Sequence, residues 1–173
     1  QKMDISKREE IIRRFSELAI EKKEELVNLI SKEMGKPIIE ARGEIDELPG
    51  TIGWFLSETK NIIQDENIDL EADDANAKVK FQPMGVVALI TPWNFPISTP
   101  IWKIIPALLT GNAVLFKPSE LSTLCGLKIG ELLKEAGLPE GVFQVITGDG
   151  KTGQDLVSSD IDMVSFTGSS VAG

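Results

Sequence analysis

The second half of the chain alternates short apolar segments with longer segments of helical periodicity. The apolar segments are rich in β-branched residues and almost continuous in hydrophobic character, which is typical of strands buried on both faces of a sheet. Alternation at this spacing predicts an α/β fold with a parallel, Rossmann-like sheet and right-handed crossovers. The predicted strands are 85–91, 112–117, 142–147 and 162–166, and the predicted helices between them are 98–109, 121–137 and 151–159.

The first part of the chain has a different pattern, with apolar residues at helical spacing and charged residues between them. We expect a first amphipathic helix capped by Ser6, with Glu9 completing a capping box. Gly35 and Pro37 should end it, and a second helix should follow with a kink at Pro49. The predicted organisation is a helical lead-in over 1–65, a β excursion over 66–83, and a nucleotide-binding domain over 84–173.

Charge and hydrophobicity limit the partners that the chain is expected to have. The formal net charge is −9, without a clustered Lys/Arg face, so nucleic acids and anionic membranes are poor candidates. The sequence contains no apolar run of about 18 residues and no signal-peptide pattern. A single cysteine suits a reducing compartment, and we therefore expect a cytoplasmic location.

The residue types that are absent restrict the chemistry. The sequence contains no histidine, which excludes Ser-His-Asp and Cys-His catalysis within the chain and the commonest zinc ligand sets. No metal site is therefore expected. Cys125 lies in a predicted helix among leucines and an isoleucine, so we interpret it as a buried structural residue and not as a nucleophile.

The segment GDGKTG (148–153) matches the spacing of a dinucleotide-binding G-x-G-x-x-G loop. Such a loop should follow the first strand, with an acidic residue about 20 positions later. Here it follows the third predicted strand, and the next strand ends in Phe166-Thr167-Gly168-Ser169. A P-loop would need a glycine at Val145. We interpret GDGKTG as a tight turn before a helix.

Three other strand ends carry polar or constrained groups. PWNFP (92–96) follows the first predicted strand, KPSE (117–120) the second, and FTGSS (166–170) the fourth. In open α/β sheets, ligands bind at the carboxyl ends of the strands, so these groups should meet at one edge. Lys117 and Glu120 could bind a ribose diol as donor and acceptor, and FTGSS suits a phosphate.

These segments resemble the aldehyde dehydrogenase superfamily, whose members oxidise aldehydes to carboxylic acids with NAD(P). In that family the Rossmann-like domain does not use the usual glycine fingerprint. The resemblance covers essentially the whole chain. It is carried by EMGKP (33–37), PMGVVALITPWNFP (83–96), PALLTGNAVLFKPSE (106–120), GLPEGVFQVITGDG (137–150) and VSFTGS (164–169).

The resemblance implies a role for each motif. Asn94 would donate its side-chain amide to the oxyanion formed from the aldehyde, an interaction worth about 3–4 kcal/mol in the transition state. Lys103 would lie near the active site. Glu120 should repel a 2′-phosphate, so NAD is the expected cofactor, with NADP possible. The implied cofactor-binding residues are Thr91, Pro92, Trp93, Lys117, Ser119, Glu120, Gly150, Gly153, Phe166, Thr167, Gly168 and Ser169, and the implied substrate-lining residues are Phe95, Thr99 and Trp102.

The family's nucleophilic cysteine and general-base glutamate lie well downstream of FTGS, so the resemblance implies an amino-terminal fragment that is inactive alone. The complete enzyme would be a homodimer or homotetramer, joined partly by a β excursion like residues 66–83. The alternative is a non-catalytic nucleotide-binding or scaffolding module derived from the same fold.

Overall fold

The computed structural model describes residues 3–69 and 77–173. Four helices form the lead-in, followed by a short β-hairpin and then by a parallel α/β unit. The lead-in helices are α1 (Ile5–Glu21), α2 (Lys23–Met34), α3 (Ile38–Asp46) and α4 (Leu48–Ile62).

The lead-in differs in detail from the sequence prediction. The first predicted helix is divided into α1 and α2 at Lys22. The N-cap of α1 is Asp4 and not Ser6, because the Asp4 carboxylate accepts a hydrogen bond from the Ser6 backbone N–H. Gly35 ends α2 in the left-handed conformation, with φ of 77°, as the sequence predicts.

The hairpin consists of β1 (Glu66–Ile68) and β2 (Ala77–Val79), which pair antiparallel. These strands lie within the predicted β excursion at 66–83. The part of that excursion at 70–76 lies outside the described residues.

The parallel unit contains the four predicted strands. They are β3 (Val86–Ile90), β4 (Ala113–Lys117), β5 (Phe143–Val145) and β6 (Met163–Phe166), in the order β5-β4-β3-β6. The connecting helices are α5 (Ser98–Leu109), α6 (Thr123–Glu135) and α7 (Gly150–Val157). Because all the strands are parallel, their carboxyl ends share one edge of the sheet.

The main hydrophobic core lies between the sheet and the helices. Val87 and Leu89 of β3 and Phe116 of β4 belong to one buried cluster with side chains of α1, α5 and α6. Ile90, at the end of β3, instead lies beside Gly153 of α7. The lead-in helices therefore cover α5 and α6. Within 3–69 and 77–173 no helix is both long and apolar enough to cross a membrane.

Candidate functional site

A cleft opens at the carboxyl edge of the sheet between the ends of β3 and β6. These strands end level with each other, since Ile90 pairs with both Lys117 of β4 and Phe166 of β6. The cleft has a volume of about 680 Å³. Its lining residues are Pro92, Trp93, Asn94, Phe95, Thr99, Trp102, Thr167, Gly168 and Ser169, which were all candidate site residues from the sequence.

Asn94 presents an available side-chain amide to this cleft. The residue is exposed, and within the described part of the chain its side chain has no hydrogen-bond partner. An asparagine in a loop commonly bonds to its own turn, but this one does not. Its amide can therefore donate hydrogen bonds to a bound molecule.

The helical lead-in makes hydrogen bonds to the loop that carries Asn94. Glu44 of α3 is buried, and its Oε1 accepts hydrogen bonds from the backbone N–H groups of Ile97 and Ser98, both at 2.9 Å. Its Oε2 accepts from Nζ of Lys36 at 2.5 Å. The Lys36 ammonium also lies 4.0 Å from the centroid of the Phe95 ring.

The end of β4, at the same edge of the sheet, supplies an ionic pair whose residues do not line the cleft. Nζ of Lys117 lies 3.6 Å from a carboxylate oxygen of Glu120. Lys117 is buried and Glu120 is more than half exposed. Ser119 points elsewhere, because its hydroxyl accepts a hydrogen bond from the Leu121 backbone N–H. Thr91 is buried, and its N–H donates to the Lys117 carbonyl.

The start of α7 faces the Lys117 side chain. A Cβ built on Gly153 would lie 3.9 Å from Cδ of Lys117, and one built on Gly150 would meet nothing within 4 Å. Gly150 is thus open on the side where a Cβ would stand, whereas Gly153 is buried against the side chains of Ile90 and Lys117. Near the start of α7 the structure thus places a buried cation, Lys117, that can donate hydrogen bonds and an exposed carboxylate, Glu120, that can accept them.

GDGKTG itself is not arranged as a phosphate cradle. The Asp149 carboxylate accepts hydrogen bonds from the N–H groups of Lys151 and Thr152, which a bound phosphate would need. Nζ of Lys151 pairs with Asp155 along α7. The interpretation of this segment as a turn and helix start agrees with the structure.

The end of β6 closes the other side of the cleft. The ring of Phe166 lies so close to Gly168 that a Cβ there would come within 2.3 Å of the ring. Position 168 therefore requires glycine for as long as the ring keeps this position. Phe166 itself is partly exposed and does not line the cleft.

A second cleft, of about 550 Å³, adjoins the first and shares Thr99, Trp102 and Thr167 with it. Lys103 lines this second cleft, and its Nζ donates a hydrogen bond of 2.9 Å to the Ser165 hydroxyl. Burial lowers the pKa of Lys103 below its usual value, because a charged amine loses hydration there.

Cys125 is fully buried in α6, as predicted. Burial raises its pKa strongly, and the nearby Glu33 carboxylate raises it further, so the unreactive thiol form dominates. Among residues 3–69 and 77–173 there is no cluster of three side chains that could ligate a metal ion.

Sequence reasoning missed Glu44, Lys36 and Ser165. Glu44 lies on the buried face of α3, with Ala41 and Ile45. A glutamate on such an apolar face signals a paired, buried carboxylate, because an unpaired charge there would be costly. Ser165 carried no comparable signal.

The fold and the edge cleft together define a nucleotide-binding α/β unit of the Rossmann-like class, without a glycine fingerprint at its first strand. The family model described as "Aldehyde dehydrogenase family" matches residues 1–173, and the chain belongs to this family.

Several known proteins are similar to the chain. It is 42% identical over 166 residues to the peroxisomal aminoaldehyde dehydrogenase 2 of Pisum sativum, covering 94% of the chain and 33% of that protein. The crystal structure of an NAD-dependent aldehyde dehydrogenase from Sinorhizobium meliloti matches with a TM-score of 0.94 and 34% identity, over 99% of this chain and 34% of that one. Betaine aldehyde dehydrogenase from Staphylococcus aureus, in complex with NAD+, matches with a TM-score of 0.89 and 32% identity, over 95% and 33% of the two chains. The chain thus spans about a third of the length of these relatives.

Proposed function

We propose that this chain is the cofactor-binding part of an enzyme that oxidises an aldehyde to a carboxylic acid with NAD, or alternatively NADP. The observation that carries the proposal is the available amide of Asn94, which lines a cleft at the carboxyl edge of the sheet. Membership of the aldehyde dehydrogenase family supports the reaction class.

Each group of residues at this edge of the sheet would have its own role in binding or reaction. Asn94 would donate a hydrogen bond to the oxygen that becomes negative when a nucleophile adds to the aldehyde carbonyl. Lys117 and Glu120 would hold the adenosine ribose, and Gly150 and Gly153, at the start of α7, would lie by the adenine. Thr167, Gly168 and Ser169 would face the pyrophosphate and nicotinamide. The cofactor supplies the hydride acceptor.

The aldehyde would contact the aromatic side of the cleft. Phe95 and Trp102 are about half exposed, and Thr99 lies between the two adjoining clefts. Aminoaldehyde and betaine aldehyde, which appear in the names of two relatives, are natural first members of a substrate panel. We further propose that the complete enzyme is a homodimer or homotetramer joined partly through the β1–β2 hairpin, and that it is cytoplasmic.

The test is turnover of the complete protein that contains this chain. We expect NADH formation with at least one aldehyde, and we expect Asn94→Ala to lower kcat about 10²- to 10³-fold, with little change in the Kd for NAD. The matched control is Asn61→Ala, since Asn61 is an exposed amide on α4 that bonds only to its own helix.

Two outcomes would contradict the proposal. NAD binding without turnover of any aldehyde would favour the non-catalytic nucleotide-binding or scaffolding module. Equal kcat values for Asn94→Ala and wild type would remove Asn94 from the reaction.

A further inference from the structure

Glu44 and Lys36 form a buried ionic pair. The Glu44 side chain is fully buried and that of Lys36 is 7% exposed. Removing two charges from water costs several kcal/mol per ion unless hydrogen bonds compensate the loss. Both oxygens of the Glu44 carboxylate have partners, so the pair satisfies this condition.

The partners of the pair lie almost entirely in one loop. Glu44 accepts from the N–H groups of Ile97 and Ser98, the first unpaired donors of α5. A carboxylate at a helix N-terminus is also favoured by the helix dipole. Glu44 thus fixes the point at which the PWNFP loop becomes helix.

Lys36 fixes the other side of the same loop. Its ammonium lies 4.0 Å from the centroid of the Phe95 ring, a distance that permits a cation–π interaction. Phe95 directly follows Asn94, and Ile97 lies three residues after Asn94. The pair therefore holds the backbone immediately after Asn94 through one ring and two amides, but it does not contact the Asn94 amide itself.

We propose that Lys36 and Glu44 are positioning residues for Asn94, acting from the helical lead-in on the loop that carries the oxyanion donor. The inference rests on the proposed function. An oxyanion donor is effective only within about 2.7–3.1 Å of the developing charge. A displacement of about 1 Å can cost about 10²-fold in rate. The loop has no such carboxylate of its own, because residues 91–98 contain no acidic residue.

The decisive variants are Glu44→Gln and Lys36→Met in the complete protein, alone and combined. In Glu44→Gln the amide oxygen can still accept from the loop, but the amide nitrogen then faces the Lys36 ammonium, donor against donor. We expect kcat to fall at least tenfold in each single variant, with the KM for NAD within about twofold of wild type. The double variant removes the clash between donors and should recover at least fivefold over Glu44→Gln.

Lys36→Arg is the conservative variant. Arginine keeps the charge, the hydrogen bond to Glu44 and the stacking on Phe95, so we expect a kcat within about threefold of wild type. If Glu44→Gln does not fold, the comparison of Lys36→Met with Lys36→Arg decides the proposal.

A second readout does not depend on turnover. Hydrogen exchange measured by mass spectrometry should show faster exchange of the peptide that contains Ile97 and Ser98 in Glu44→Gln and Lys36→Met. Peptides from α6 should remain unchanged. Leu132→Ala is the control for general destabilisation, because Leu132 is buried in the last turns of α6, towards the opposite edge of the sheet. It should lower the Tm without changing kcat per folded enzyme.

The outcomes separate the two proposals. A wild-type protein that oxidises no aldehyde overturns the proposed function, and the exchange measurement then still tests whether the pair orders the loop. An active wild type in which both single variants keep kcat within threefold overturns the positioning role. The same holds if Leu132→Ala, at an equal loss of Tm, lowers kcat as much as Glu44→Gln does.

Discussion

Glu120 is the residue whose charge has the most direct consequence for the cofactor. Its carboxylate is more than half exposed and lies 3.6 Å from Nζ of Lys117, at the carboxyl end of β4. A carboxylate here can accept a hydrogen bond from a ribose hydroxyl, whereas it repels a phosphate on the same ribose. We therefore propose that Glu120 selects NAD against NADP.

Glu120→Gln should shift this preference towards NADP. The substitution removes the repulsion while keeping the size of the side chain, so we expect the ratio of kcat/KM for NAD to that for NADP to fall about tenfold. Steady-state kinetics of the complete protein with both cofactors measure the ratio. Glu131→Gln is the matched control, because Glu131 is an exposed glutamate in α6 that pairs with Lys128. An unchanged ratio in Glu120→Gln would exclude this residue as the selector.

Lys103 should titrate below an ordinary lysine. Burial lowers its folded-state pKa from 10.5, so between the lowered value and 10.5 the unfolded chain binds a proton that the folded chain does not. The charged amine thus opposes folding at neutral pH, and the free energy of unfolding rises as the pH passes through that window.

Amine labelling of Lys103 as a function of pH, from about pH 7 to pH 11, measures this directly. The midpoint of reactivity should lie below 10.5. In Ser165→Ala the midpoint should fall further, since the Ser165 hydroxyl accepts a hydrogen bond from the charged amine and so favours it. A midpoint at or above 10.5 would show that the amine is well hydrated in solution.

At the scale of elements, the sequence was informative wherever periodicity was strong. All four strands of the sheet lie within their predicted ranges, because their continuous apolar character is unusual outside a parallel sheet. The break at Lys22 was not predictable, because the apolar pattern continues through it. Asp4 and Ser6 are both good N-cap residues, and the capping-box pattern favoured the wrong one.

The candidate site was predictable for a different reason. Parallel strands bring their carboxyl ends to one edge whatever the loops do, so PWNFP and FTGS had to meet. The contacts between the lead-in and the candidate site were not predictable. Glu33 and Glu44 act across 91 and 53 residues of sequence, and no local pattern reports contacts at such separations.

Glu33 caps the helix that follows β4, as Glu44 caps the helix that follows β3. Its carboxylate, on α2, accepts hydrogen bonds from the backbone N–H groups of Leu124 and Cys125, at the start of α6. Lys117 is the last residue of β4, and Glu120 begins a short 3-10 turn (Glu120–Ser122) that leads directly into this helix. We expect the position of that ionic pair to depend on the Glu33 cap.

Glu33→Ala should therefore lower the free energy of unfolding by about 1 kcal/mol, as the loss of a helix cap typically does. It should also raise the KM for NAD several-fold with a smaller effect on kcat. Glu25→Ala is the matched control, since Glu25 also reaches from α2 to α6 but pairs with the Lys128 side chain. Denaturant unfolding and NAD titration measure the two effects. The cap has no role in cofactor binding if both variants show the same KM for NAD.

At the scale of the whole molecule, we propose that the lead-in positions the candidate site in addition to covering the sheet. Its helices α2 and α3 each place a glutamate at the N-terminus of a crossover helix, α6 and α5 respectively. Both crossover helices begin just after a loop of the candidate site. A lead-in that served only to bury apolar surface would not require two carboxylates at these positions.

The distribution of reactive groups over the molecule leads to a last prediction. The sequence contains one cysteine and no histidine, and that cysteine is buried with a raised pKa. A buried thiol of this kind forms almost no thiolate, which is the nucleophilic form. We therefore propose that the 173-residue chain alone forms no NADH from any aldehyde, although it carries the residues proposed to bind the cofactor.

Cys125→Ala in the complete protein tests whether Cys125 takes part in the reaction. Alanine fits the buried position in α6 without creating a large cavity, so kcat should stay within about twofold of wild type with a small loss of stability. NADH production by the isolated chain, if abolished by Cys125→Ala, would identify Cys125 as a nucleophile and contradict this view. Production that survives the substitution would contradict the proposal that the chain alone forms no NADH and would leave Cys125 outside the reaction.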